Sequence, residues 1–185
     1  MKAYEFKITL IGAKPPIWRK VVVPVDITFK RFHDTIQMAM GWQDYHLYEF
    51  EFKDLDLRFS NDEERYDEDA RKVSAKIDKY ITQVKSFVYT YDFADYWQHK
   101  VELTKSLEDY AVGYPQVLSF KGNCPPEDCG GICDYEDFLL AWNDPENEEH
   151  ESIREWGTEQ EYGDYDLEQV NGWMKEFLKL KKLKA

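Results

Sequence analysis

Apolar and polar residues alternate along the first part of the chain, which is the pattern of half-buried strands. Residues 3–11 carry apolar side chains at alternate positions, and residues 17–23 form a second, more apolar run that ends at Pro24. Residues 12–16 between them contain the glycine and prolines of a turn. The pattern predicts an N-terminal antiparallel hairpin.

The spacing of apolar residues then changes to that of a helix. Apolar residues recur every three or four positions over residues 29–40, with Thr28 as a suitable N-terminal cap and Gly41 as a C-terminal stop. This helix is expected to pack its apolar stripe on the sheet. Alternation returns in residues 46–52 and predicts a third strand, with His46 on its apolar side.

Periodicity is lost over residues 54–79, where the charged run NDEERYDEDARK predicts an acidic, mobile excursion within a single domain spanning 1–185. Strands are predicted again at about 86–93 and 96–104. A short run, VLSFKG at 117–122, is a candidate sixth strand.

The last third of the chain has helical spacing. We predict helices over residues 135–142, capped by Asp134, and over 147–156 and 166–181. The apolar stripe of the last helix, which we expect to pack in the core, comprises Leu167, Val170, Trp173, Met174, Phe177 and Leu178. The predicted fold class is α+β, with a mixed, mostly antiparallel sheet, a grasp-like N-terminal ββα unit and a helical C-terminal third.

Charge, hydropathy and cysteine content limit the kinds of partner and the compartment that we expect. The chain has 37 acidic and 24 basic residues and a net charge of −13, which opposes binding to a phosphate backbone, so we expect no direct nucleic-acid partner. The chain contains no apolar run of membrane-spanning length, so we expect no membrane partner. Three cysteines provide no disulfide framework, which favours the cytoplasm.

The stretch YTYDFADYWQH places polar residues in a strand-forming aromatic run. A two-residue turn at 94–95 would pair Asp92 with Trp97 and Thr90 with His99, which puts Asp92 and His99 diagonally on one apolar face. Three interpretations stay open. The histidine is a hydrogen-bonded core residue, or it belongs to a ligand or metal pocket, or it forms a catalytic dyad with the aspartate.

The segment GNCPPEDCGGICDYEDF predicts a rigid loop before a helix, with Glu127 and Asp128 held on it. Its cysteine spacing, C-x4-C-x3-C, lacks the C-x2-C pair typical of zinc sites. The chain also lacks the phosphate-binding, dinucleotide-binding and nucleophile-elbow motifs. Nucleotide-binding and serine-hydrolase functions are therefore unsupported, the cofactor stays unknown, and a protein-partner or small-ligand site stays open.

Three ordered blocks, IWRKVVVPVDITFKRFHDTIQMAMGWQDYHLYEFEF, YTYDFADYWQHKVEL and CPPEDCGGICDYEDFL, resemble the root-inducing-plasmid ORF-three-like family. The positions that match the family pattern are Trp18, Arg19, His33, Gly41, Trp42, His46, Asp92, Asp95, Trp97, His99, Pro125, Pro126, Glu127, Asp128, Gly130, Gly131 and Tyr135. Ala94 and Asp134 each replace a family glycine. The resemblance implies an α+β fold and an association with plasmids and mobile elements, where some members carry a transposon-passenger or resolvase-like label.

These observations lead to two functional hypotheses. The first is a non-catalytic, cytoplasmic binding module for a protein partner or a small ligand, with the mobile-element association that the resemblance implies. The alternative is a metal-dependent or acid/base enzyme. Both use the same candidate ligand-binding residues, which are His46, Asp92, His99, Glu127 and Asp128. The sequence assigns no metal ligand, catalytic residue or oligomeric state.

Overall fold

A computed structural model describes residues 1–62 and 70–180, which form one eight-stranded sheet and five helices. The strands are β1 (Ala3–Leu10), β2 (Trp18–Pro24), β3 (Tyr48–Phe52), β4 (Leu57–Ser60), β5 (Ala70–Lys72), β6 (Ser86–Tyr91), β7 (Trp97–Leu107) and β8 (Gln116–Lys121). The helices are α1 (Phe29–Met40), α2 (Asp78–Ile81), α3 (Gly131–Asn143), α4 (His150–Glu159) and α5 (Leu167–Phe177), and a 3-10 turn spans Lys53–Leu55.

The sheet is mixed and mostly antiparallel, as predicted. Its strand order is β5-β4-β3-β6-β7-β1-β2-β8, and all neighbouring pairs are antiparallel except β4 and β5. The α+β class, the N-terminal ββα unit and the helical C-terminal third are therefore confirmed. In the part of the chain that is described, no helix is long and apolar enough to cross a bilayer.

Helix α1 packs on the sheet through aromatic side chains. The Phe32 ring centroid lies 4.8 Å from that of Phe6 on β1, and the Phe29 centroid lies 5.1 Å from that of Phe50 on β3. The predicted helix ends are confirmed. The Thr28 Oγ1 accepts a hydrogen bond from the Arg31 backbone N–H at 3.1 Å, and Gly41 ends the helix with a left-handed φ of 112°.

The predicted excursion at 54–79 is not irregular throughout. It contributes β4 and β5 to one edge of the sheet, and the side chain of Ile77 is fully buried. These strands are too short for alternation to be visible in the sequence. Residues 63–69, which carry much of the acidic run, lie outside the described residues.

The hairpin register differs from the prediction by one residue. β6 and β7 are joined by the five residues 92–96, and Tyr91 pairs with Trp97 and Tyr89 with His99. A shift of one residue moves side chains to the opposite face of a strand. His99 therefore shares its face with Tyr89, and Asp92 lies in the loop rather than opposite Trp97.

The C-terminal helices differ from the prediction in detail. Helix α3 begins at Gly131 after the left-handed Gly130, so Asp134 is not its cap, whereas Asp166 does cap α5 by accepting from the Gln169 N–H at 2.9 Å. The last helix buries Val170, Met174 and Leu178. The predicted burial of Trp173 and Phe177 is wrong, since they are 43% and 59% exposed.

Strand β8 forms one edge of the sheet and is contacted by α5. The Val117 N–H donates to the Asn171 Oδ1 at 2.8 Å, and the Asn171 Nδ2 donates to the Val117 carbonyl at 3.0 Å. The side-chain amide of Asn171 thus makes the pair of hydrogen bonds that a neighbouring strand would make with Val117.

Candidate functional site: a carboxylate cluster around His46

Three loops converge at one edge of the molecule and bring four of the candidate residues together. The His46 Nε2 lies 3.0 Å from the Asp128 Oδ1, 3.7 Å from the Asp92 Oδ2 and 3.8 Å from the Glu127 Oε2. We call these four residues the His46 cluster. They come from the α1–β3 connection, the β6–β7 loop and the loop before α3.

His46 reaches the cluster because it is not part of a strand. β3 begins at Tyr48, so the prediction that His46 faces the core with Tyr48 is wrong. Its side chain is instead partly exposed, at 29%, and its ring lies edge-on to Tyr91 with the centroids 5.7 Å apart. One side of the imidazole therefore packs on an aromatic residue while Nε2 faces carboxylates.

The local backbone directs Asp92 and Asp128 toward the imidazole. Both residues are left-handed, with φ of 55° and 54°, a conformation that aspartate tolerates better than most residues. The Asp92 Oδ1 also accepts a hydrogen bond from the Ala94 N–H at 2.8 Å, which forms a local turn. The Oδ2 is the oxygen nearer to His46.

Asp95 ties two of these loops together. Its Oδ2 accepts a hydrogen bond from the Gly130 N–H at 2.8 Å, so this residue is half-buried rather than exposed as expected from a turn tip. At Gly131, with φ of 86°, an added Cβ would lie 2.7 Å from the Asp95 carbonyl oxygen. The double glycine therefore permits the close approach that places Asp128 beside the hairpin.

Glu127 is the most enclosed carboxylate of the cluster, with 3% of its surface exposed. Its Oε1 accepts from the Gln43 N–H at 2.6 Å and from the Tyr91 hydroxyl at 3.1 Å. Burial raises the pKa of Glu127, and it also raises that of Tyr91, which stays protonated and can donate. Gln43 and Tyr91 were missed in the sequence because they give no chemical signal there.

The cluster has an excess of negative charge. Asp92 and Glu127 are both buried, and Asp128 adds a third carboxylate. In residues 1–62 and 70–180, the three carboxylates form ion pairs only with His46 and none with lysine or arginine. Buried carboxylates are costly unless a cation compensates them, and a single imidazole supplies at most one positive charge.

A second group of titratable residues, His33, Asp34 and Asp44, is compensated differently. The Lys30 Nζ lies 2.8 Å from the Asp34 Oδ1 and 3.3 Å from the Asp44 Oδ2. The His33 ring is fully buried and bonds Asp44 at 2.7 Å and the Tyr89 hydroxyl at 2.8 Å. Burial lowers the pKa of His33, so Lys30 is the cation of this group and offsets one of its two carboxylate charges. The group links α1 to the sheet.

The structure does not bring His99 into the cluster, and its predicted pairing with Asp92 is wrong. The His99 Nδ1 lies 3.3 Å from the Tyr89 carbonyl oxygen, and the Trp42 Nε1–H donates to the His99 Nε2 at 3.4 Å. Burial lowers the pKa of His99 to about 4. His99 is thus a neutral core residue.

Comparisons with known proteins give the evolutionary relationship. A sequence model of the family described as "Plasmid pRiA4b ORF-3-like protein" matches residues 2–172. The chain belongs to this family. The ORF-3-like chain is 40% identical over 160 residues to the uncharacterized protein y4hQ of Sinorhizobium fredii, an alignment that covers 85% of this chain and 82% of that protein.

A solved structure supports the fold of the ORF-3-like chain. The crystal structure of a protein of unknown function, MM3350 from Methanosarcina mazei Go1, matches with a TM-score of 0.76 and 35% sequence identity. The match covers 90% of this chain and 93% of that one. The expected family and the plasmid association of its description are therefore confirmed, whereas neither relative's description states an activity.

The His46 cluster combines the donor types of a cation site. The imidazole nitrogen of His46 and carboxylate oxygens of Asp92 and Asp128 lie within 4.8 Å of one another. Donors around a first-row transition metal are spaced about 3–4 Å apart, because each lies about 2.0–2.2 Å from the ion. Glu127 is close enough to supply a further oxygen or to accept a proton from a bound water.

Proposed function

We propose that the protein is a binding module whose small ligand is a divalent metal ion held by the His46 cluster. The observation that carries the proposal is the excess negative charge, since two buried carboxylates and a third beside them face only one imidazole. A divalent cation would compensate this charge. The group around Lys30 carries a smaller excess, because the lysine offsets one of its two carboxylate charges.

The donor set favours a first-row transition metal. Imidazole nitrogen suits zinc, iron and nickel, and carboxylate oxygen suits manganese, magnesium and calcium, so a mixed set fits Mn²⁺ or Zn²⁺ better than Ca²⁺. His46, Asp92 and Asp128 would bind the ion directly. Glu127 would orient a bound water or act as a fourth ligand, held by Gln43 and Tyr91.

A metal-dependent hydrolytic function is the second candidate, and one observation favours it. Glu127 has a raised pKa, lies beside His46 and lines a cleft next to the cluster. A carboxylate in that position is suited to general base catalysis on a metal-bound water. We place this candidate behind simple binding, because among residues 1–62 and 70–180 no side chain is assigned as the proton donor to a leaving group.

Titration calorimetry on chelator-treated protein tests the proposal with Mn²⁺ and Zn²⁺ as the probes. We expect one saturable site, and His46→Ala or Asp128→Asn should weaken it about tenfold or more. His150→Ala and Asp34→Asn are matched controls, because each removes the same kind of group outside the cluster. Equal affinity in wild type and His46→Ala would refute the site.

A further inference from the structure

A cleft of about 600 Å³ lies between the C-terminal end of α1, the loop before α5 and the first turns of α5. Its aromatic walls include Trp42, Tyr162 and Trp173. Trp173 is 43% exposed although its spacing predicted a core position. An exposed tryptophan inside a concave site gives a ligand a large apolar surface.

The same cleft is lined by carboxylates and by no lysine, arginine or histidine among its described lining residues. Lys30, which lies outside the lining, pairs with both Asp34 and Asp44 and offsets one of their two charges. Glu161 and Asp164 form no ion pair with a cationic side chain in the described parts of the chain. The loop before α5, on the wall that also carries Tyr162, therefore holds uncompensated charge, and Glu127 adds to it from the side of the His46 cluster.

We propose that this acidic cleft binds a small organic cation, namely an aliphatic amine with one or more ammonium groups on a short carbon chain. Carboxylates attract the ammonium group, and the faces of tryptophan and tyrosine bind both ammonium groups and the methylenes attached to them. The cleft volume lies within the range of small-molecule sites, about 300–1,000 Å³.

The amine site is separate from the metal proposal. Glu127 lines the cleft and belongs to the His46 cluster, but Trp173, Glu161 and Asp164 belong only to the cleft. Amine binding should therefore persist in His46→Ala, the variant that is expected to weaken metal binding. The two proposals can fail independently.

Titration calorimetry at physiological salt tests the proposal with cadaverine, and with pentanediol as its uncharged counterpart. We expect saturable binding of cadaverine and none of pentanediol. Trp173→Ala should weaken cadaverine binding roughly fivefold or more. Phe177→Ala is the matched control, because it removes an exposed aromatic residue from the same helix outside the cleft.

A second pair of variants separates a site from general attraction to an acidic protein. Asp164→Asn and Glu176→Gln each remove one exposed negative charge, but only Asp164 lines the cleft. We expect Asp164→Asn alone to weaken cadaverine binding. Equal weakening in both variants, or no saturable binding, would overturn the proposal. Tighter binding of oligolysine with the same dependence on Trp173 would assign the ammonium group to a polypeptide and overturn the small-molecule assignment.

Discussion

The buried histidine of β7 leads to a quantitative prediction about acid stability. Both ring nitrogens of His99 are used in the neutral form, since Nδ1–H donates to the Tyr89 carbonyl and Nε2 accepts from Trp42. A second proton would have to lie on Nε2, facing the Trp42 N–H donor. We expect that replacing His99 with glutamine removes a destabilisation that wild type suffers in acid.

The magnitude follows from the pKa of His99 in the two states. Burial lowers the pKa from an ordinary 6.5 to about 4 in the folded protein. The unfolded chain therefore binds a proton that the folded chain does not between pH 6.5 and about pH 4, and stability falls as the pH falls through this window. A difference of about 2.5 pH units corresponds to about 3 kcal/mol of unfolding free energy.

Urea denaturation at about pH 7 and about pH 4.5 measures this contribution. Wild type should lose about 2–3 kcal/mol more than His99→Gln between the two conditions. Other carboxylates and histidines titrate in both proteins, so the difference between the two losses isolates His99. The variant itself is expected to be less stable than wild type at neutral pH, because glutamine cannot fill the imidazole volume.

Parallel losses in wild type and His99→Gln would refute the reasoning. Trp42→Phe is the control for a general loss of folding stability around His99. It removes the N–H donor but keeps His99 and most of its burial. It should retain most of the acid-dependent loss, because burial is the largest cause of the lowered pKa of His99.

Three further predictions concern stability alone. Met174→Ala should lower the unfolding free energy by about 2–4 kcal/mol in urea denaturation, because this side chain is fully buried under α5. Glu127→Gln should raise the unfolding free energy of the metal-free protein at pH 7. Burial raises the pKa of the Glu127 carboxyl, so keeping it ionised at a pH above that pKa destabilises the folded state. A less stable variant would contradict this. Gly131→Ala should lower the unfolding free energy in urea by about 1–3 kcal/mol, because φ is 86° and the new Cβ would meet the Asp95 carbonyl oxygen. Gly172→Ala in α5 is the control, because open space surrounds this glycine, and its unfolding free energy should be unchanged or higher.

The hairpin shows why the sequence predicted the strands better than the site. The aromatic run gave the two strands within a few residues, because their composition and length are typical of a sheet. The register depended on the turn, and a five-residue loop with left-handed Asp92 and Tyr96 replaces the expected two-residue turn. Local composition does not distinguish these loops, yet the choice decides whether His99 faces Thr90 or Tyr89.

The sequence predicted which residues form the His46 cluster better than it predicted how they are arranged. Polar residues in apolar or rigid contexts indicated His46, Asp92, Glu127 and Asp128, and the structure places these four together. Their spacing depends on contacts between loops distant in sequence, such as Asp95 with Gly130. The partners Gln43 and Tyr91 act through a backbone N–H and a core hydroxyl, which carry no signal in the sequence.

The amide of Asn171 has a consequence for self-association. An edge strand presents unpaired backbone groups that can template pairing with another chain. At Val117 the backbone N–H and carbonyl are both hydrogen-bonded to the Asn171 side chain, so α5 blocks strand pairing at this point of the β8 edge. This protection lasts only while α5 stays packed on the sheet through the buried side chains of Val170, Met174 and Leu178. Fraying of α5 would expose an apolar surface and a free strand edge in the same event, and this couples local unfolding at the C-terminal helix to intermolecular strand pairing.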